Sequence, residues 1–180
     1  CLVFGSTWRE DEDIILRYIK NSNRKSKYII APHEISNNPK RIKKFLGNKS
    51  ILYSDIKLKT NLQEFSCLII DNIGMLSSLY NYSSISYVGG GMGKKGLHNT
   101  LEPAYFSKPI IIGKNYQKFE EANEMIKNGN MISISNYNEF YNAIESIIDN
   151  ENLLIKMSKK CKEYFDKKKG AVKIILNDLK

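Results

Sequence analysis

The run Ile85-Ser86-Tyr87-Val88-Gly89-Gly90-Gly91-Met92-Gly93-Lys94-Lys95-Gly96-Leu97-His98-Asn99-Thr100-Leu101-Glu102-Pro103-Ala104 decides the fold. Its opening, Ile85–Val88, reads as a buried parallel strand. Glycines follow, which allow positive φ and close backbone approach, and a helix is expected to begin near Asn99. A helix start offers unpaired N–H groups and a positive dipole end to an anion. Glu102, one turn further in, can accept hydrogen bonds from two ribose hydroxyls, as acidic residues do in dinucleotide sites.

Outward from this run the same alternation repeats. Short apolar runs at Leu2–Phe4, Tyr28–Ala31, Ile51–Tyr53, Cys67–Ile70, Pro109–Ile112 and Met131–Ile134 read as further strands. Between them lie amphipathic stretches. Thr7-Trp8-Arg9-Glu10 has capping-box spacing before Ile14, Ile15, Tyr18 and Ile19. Pro39 suits a first helical position, Phe119–Asn128 is closed by Gly129, and Tyr137–Ile148 and Leu153–Phe165 complete the set. Strand–helix alternation predicts an α/β, Rossmann-like doubly wound parallel sheet, one domain over residues 1–180. In such sheets ligands bind outside the carboxyl ends of the strands, so the loops there hold the candidate residues.

The chain has 180 residues and a formal charge of +9, with 42% hydrophobic and 26% charged residues, which excludes disorder and fibrous classes. No apolar run approaches the roughly 20 residues of a membrane-spanning helix. Cys1, Cys67 and Cys161 are odd in number and widely spaced, so neither a zinc site nor a disulfide framework is expected. Twenty-four of the basic residues are lysine and only four are arginine, beside nineteen Asn and twenty-five Ile. Arginine is the residue of bidentate phosphate recognition, so this basicity points away from nucleic acid and is compatible with an anionic membrane surface or small anion. The lysine-rich tail from Lys156 to Lys169 reads as a solvated helix face. The chain opens in Cys1-Leu2-Val3-Phe4 without an initiator Met, which suggests a piece of something longer.

Several readings of the glycine run compete. A Walker A loop fails, because Val88 and Lys95 stand where glycine and Ser or Thr are required. A dinucleotide pattern matches at Gly91, Gly93 and Gly96, but on the fifth strand and without a ribose-binding acid after the next. A glycine turn that only packs a helix on the sheet is the bland alternative; the polar neighbours Lys94, Lys95, His98 and Asn99 argue against it.

The string from Tyr87 to Ala104 resembles the 3-deoxy-D-manno-octulosonic acid (Kdo) transferases of glycosyltransferase family 30. Lys108–Ala122, Gly5-Ser6-Thr7-Trp8 and Ile70–Leu76 extend the resemblance in the family's order. It implies the C-terminal half of a GT-B enzyme, with an N-terminal acceptor domain outside this chain. The implied activity is transfer of Kdo from CMP-Kdo to a lipid A precursor in lipopolysaccharide inner-core synthesis, at the cytoplasmic face of the bacterial inner membrane. The implied partners are CMP-Kdo, the lipid A precursor through the other domain, and the membrane surface. No cofactor, metal or nucleic acid is expected.

The resemblance also implies which residues hold the donor: Pro32 and His33; Ile73, Gly74 and Met75; and Asn99, Thr100, Leu101 and Glu102; to these the glycine run, read as a phosphate cradle, adds Gly91, Gly93 and Lys94. Two departures stand out. Pro32-His33-Glu34 replaces the Pro-Arg-His of many members, and Gly74-Met75 replaces Gly-Glu, removing a carboxylate. The catalytic base is unknown and is expected in the other domain. Read singly, His98 can cap or pack, Asn99 suits an N-cap, and Lys94 and Lys95 can neutralise a leaving phosphate. Glu10 reads as the capping partner and Trp8 as packing. Another GT-B glycosyltransferase or a sugar-nucleotide epimerase is the nearest alternative; a nucleic-acid-binding or NAD-binding module is more distant.

Overall fold

The computed structural model describes residues 1–168, so Lys169 and the rest of the expected 1–180 domain lie outside the described residues. Seven strands form one parallel sheet: β1 (Leu2–Thr7), β2 (Tyr28–Pro32), β3 (Ser50–Leu52), β4 (Cys67–Ile69), β5 (Ile85–Val88), β6 (Ile110–Gly113) and β7 (Met131–Ile134). Their order is β3-β4-β2-β1-β5-β6-β7. The helices are α1 (Arg9–Asn21), α2 (Asn38–Leu46), α3 (Leu76–Leu79), α4 (Leu101–Tyr105), α5 (Glu120–Asn128), α6 (Tyr137–Asp149) and α7 (Glu151–Lys168).

The strands are apolar on both faces because both faces are covered. Leu2, Phe4, Tyr28, Ile30 and Tyr87 pack with Ile15 and Tyr18 of α1, Ile42 of α2 and Phe140 of α6. Val3, Ile29, Val88 and Ile112 face the other way, toward Ala104 of α4 and Met125 of α5. Helix α7 joins the two layers, with Met157 in the first cluster and Cys161 and Tyr164 in the second.

This topology places a crevice. The chain leaves β1 toward β2 on one side and returns to β5 on the other, so strand order switches at the carboxyl end of β1, where α/β sheets bind ligands. That end is irregular: Ser6 has φ 51° and the β1–β2 register shifts between Gly5 and Thr7. Two loops are tied to it, His33 N–H donating to Thr7 O and Gly89 N–H to Gly5 O, each at 2.9 Å.

Candidate functional site

Asp11 holds the crevice together. The expected capping box is displaced by one residue, because β1 runs on through Thr7 and leaves Trp8 as N-cap. The Trp8 N–H therefore donates to Asp11 Oδ2 at 2.9 Å, and the partner is not Glu10. Asp11 is fully buried and also accepts from Tyr87 Oη at 2.6 Å and from the Gly90 N–H at 2.8 Å. One carboxylate thus joins α1, β5 and the glycine loop. Burial, and then the adjacent Asp11, push the Tyr87 phenol well above its ordinary pKa, so it stays a donor. Gly90 has φ 92°, and a Cβ there would lie 1.9 Å from Gly96 O, so the turn admits only glycine.

Three rings cover one side of the crevice. His33 stacks on Trp8 with ring centres 4.5 Å apart and on His98 at 4.4 Å. The Trp8 indole is more than packing, since its Nε1–H donates to His98 Nε2 at 2.8 Å. An accepting Nε2 means a neutral His98, with its proton on Nδ1. Burial, and then the neighbouring His33, push the His98 pKa below its ordinary value, in agreement. Lys95 Nζ lies 4.9 Å from the Trp8 ring centre.

Beyond His98 the chain turns into α4. Thr100, not Asn99, is the N-cap; Asn99 Oδ1 accepts from the Leu101 N–H at 3.0 Å, and Asn99 Nδ2 donates to Glu102 Oε1 at 3.2 Å. Asn99 and Glu102 thus form one unit. Thr100 is buried and its Oγ1 has no partner among the described residues. Leu101 and Glu102 are half-buried. Burial, and then the Glu102 charge, push up the Tyr80 phenol. Helix α4 is only five residues long, so the expected dipole is small.

On the other flank is a cavity of about 860 Å³, lined by Glu10, Gly93, Lys94, Lys95, Lys114 and Phe119 among others. A Cβ on Gly93 would sit 2.7 Å from Glu10 Oε1. Asn115 Nδ2 donates to Gly93 O at 2.7 Å and shapes the rim. Gly91 is buried against Gly113, where a Cβ would meet the Gly113 N at 2.9 Å. Lys94, Lys95, Lys114 and Lys118 around the Glu10 carboxylate suit an anionic ligand that carries hydroxyls.

The structure therefore brings His33, the glycine loop, Lys94 and Asn99–Glu102 to one end of the sheet. Pro32 is the buried last residue of β2. Ile73, Gly74 and Met75 lie in the connection after β4, directly before Leu76, whose side chain abuts Gly5 of β1; Ile73 is exposed, Gly74 has φ 97°, and Asn72 Nδ2 contacts Met75 Sδ at 3.1 Å. Asp11, Asn115 and the donor role of Trp8 were not read from the sequence. Among the described residues, no three His, Cys, Asp or Glu side chains are grouped to hold a metal ion.

No protein-family model matches the chain. It is 33% identical over 186 residues to a 3-deoxy-D-manno-octulosonic acid transferase of Rickettsia prowazekii, covering 99% of this chain and 38% of that protein. It is 33% identical over 156 residues to a bifunctional glycosyltransferase/methyltransferase of Fusobacterium nucleatum, covering 83% of this chain and 24% of that protein. The chain thus spans well under half the length of these relatives. Its fold matches the C-terminal CMP-Kdo binding domain of WaaA from Acinetobacter baumannii with a TM-score of 0.77 at 19% identity, over 91% of this chain and 87% of that one.

Proposed function

We propose that this chain, a homologue of the Kdo transferases over 99% of its length, supplies the site that binds CMP-Kdo and receives the departing CMP. The observation that carries the reading is the switch-point crevice, with a hydrogen-bonded Asn99–Glu102 pair on one flank and a lysine-rimmed glycine cavity on the other. The Rickettsia relative is a Kdo transferase, the Fusobacterium relative a glycosyltransferase/methyltransferase, and the matching fold is a CMP-Kdo binding domain, which supports it. The full reaction in this reading passes Kdo to a lipid A precursor in lipopolysaccharide synthesis, at the cytoplasmic face of the inner membrane.

Glu102 would accept the ribose hydroxyls, steadied by Asn99. As the bond from the anomeric carbon to the phosphate oxygen breaks, its electron pair stays on CMP. Lys94 and Lys114 would neutralise that charge, aided by backbone N–H groups of the glycine loop. The short α4 leaves most of this work to the lysines. The acceptor oxygen forms the new bond and gives its proton to a base, which this reading assigns to the acceptor domain.

Calorimetric titration tests it. CMP should bind more tightly than UMP, GMP or AMP, and Glu102→Gln should weaken CMP by roughly ten- to a hundredfold, the loss of a charged hydrogen-bond partner. Unchanged CMP affinity in Glu102→Gln would refute the assignment.

A further inference from the structure

Three acids stand in the first turn of α1: Glu10, Asp11 and Glu12. Asp11 takes the Trp8 and Gly90 N–H groups, and buried Glu12 accepts from Thr7 Oγ1 and pairs with Arg41. Those two already set negative charge at the positive end of the helix. Glu10 is left over. It is exposed, and among the described residues its carboxylate has neither a hydrogen bond nor an ion pair.

The glycine loop makes room for this carboxylate. A Cβ on Gly93 would sit 2.7 Å from Glu10 Oε1 and 2.8 Å from its Cδ, so the loop is bare where Glu10 lies. Lys94, Lys114 and Lys118 stand exposed around the same cavity, and their ammonium groups are likewise unpaired among the described residues. A second lysine-lined cavity, of about 660 Å³, opens between Phe45 and Phe65 at the amino-terminal edge of the sheet. There the carboxylate in the wall, Glu64, is already engaged, accepting from Asn61 Nδ2 at 2.9 Å.

Opposite charges that share a cavity without pairing leave both open to a ligand. A phosphate at Gly93 would meet the Glu10 carboxylate as a like charge. A neutral polyol would give the lysines nothing to neutralise. A sugar acid answers both: its hydroxyls donate to the carboxylate and its own carboxylate faces a lysine. We propose that Glu10 is a specificity-determining residue for the sugar of the donor, accepting hydrogen bonds from its hydroxyls while Lys118 faces its carboxylate. The inference rests on the proposed function, which leaves Lys94 and Lys114 to the phosphate, and adds the place of the sugar beside it.

The test is calorimetric titration of free Kdo into the chain saturated with CMP. Kdo is expected to bind at least tenfold more tightly than pyruvate, an oxo acid without hydroxyls, or mannose, a polyol without the acid. Glu10→Gln keeps the length of the side chain and loses its charge. It should weaken Kdo about tenfold, the loss of a charged hydrogen-bond partner, and weaken CMP far less. Lys118→Gln should show the same split. Glu64→Gln removes an equal charge at the amino edge and should leave Kdo affinity at the parent value. Equal losses from Glu10→Gln and Glu64→Gln would overturn the proposal, because net charge alone would then be read. Kdo that fails to bind, or binds Glu10→Gln as tightly as the parent or more so, would overturn it, and so would pyruvate binding as tightly as Kdo. CMP titration of the parent keeps the two readings apart. CMP that binds beside a Kdo affinity indifferent to Glu10 sinks this inference alone, whereas a parent chain that binds no CMP sinks the proposed function and this inference with it.

Discussion

The bond from the Trp8 indole to His98 Nε2 fixes both the tautomer and the charge of that histidine. Its sign in a pH profile follows. Burial and His33 hold the folded pKa below the ordinary value, with Asp11 opposing weakly. As pH falls below about 6.5, the unfolded chain takes up a proton that the folded chain refuses. His98 therefore costs stability in acid and contributes nothing to the slope above that range. His98→Gln keeps an acceptor for the indole and cannot titrate. Its melting temperature should decline less than the parent's between pH 7 and pH 5; parallel profiles would contradict the assignment. The sequence exposed His33 and His98 as separate candidates and Trp8 only as a packing residue. Their union was not legible, because Trp8 and His98 are 90 positions apart and nothing local marks an indole as a donor.

At the scale of elements, the join between α1 and the glycine loop is the decisive contact, and Asp11 makes it. Asp11→Ala would leave the Tyr87 hydroxyl and the N–H groups of Gly90 and Trp8 without their acceptor. Buried donors left unsatisfied cost about 1–3 kcal/mol each. A loss of about 3 kcal/mol or more in urea unfolding is expected, with Asp11→Asn falling between; a loss under about 1 kcal/mol would show that the loop holds itself. The strands and long helices were legible because their periodicity reflects burial on one face or two. The acids Glu10-Asp11-Glu12 were not, since carboxylates in a first helical turn already suit the dipole. Helix α4 ends after five residues: Ser107 takes φ 57° just beyond it and Pro109 follows.

For the whole molecule, the sheet sorts the chemistry by end. The carboxyl edge carries the crevice, with Asn99–Glu102 and the lysine-rimmed cavity, and the amino edge carries the basic, partly apolar face. Alternation in the sequence yielded the parallel α/β class, but not that β4 inserts between β3 and β2, because three-residue strands of similar composition carry no pairing signal. Likewise the +9 carried no position in the sequence, whereas the fold sets Lys20, Lys25 and Lys49 around one cavity at the amino edge. The central claim, that nucleotide binds at the carboxyl edge, is tested most directly by mapping amide chemical shifts during a CMP titration. The account predicts shifts concentrated at His33 and across residues 89–104, larger with CMP than with UMP, GMP or AMP. Shifts that bypass residues 89–104, or that gather at the amino edge around Lys20 and Lys49, would contradict it.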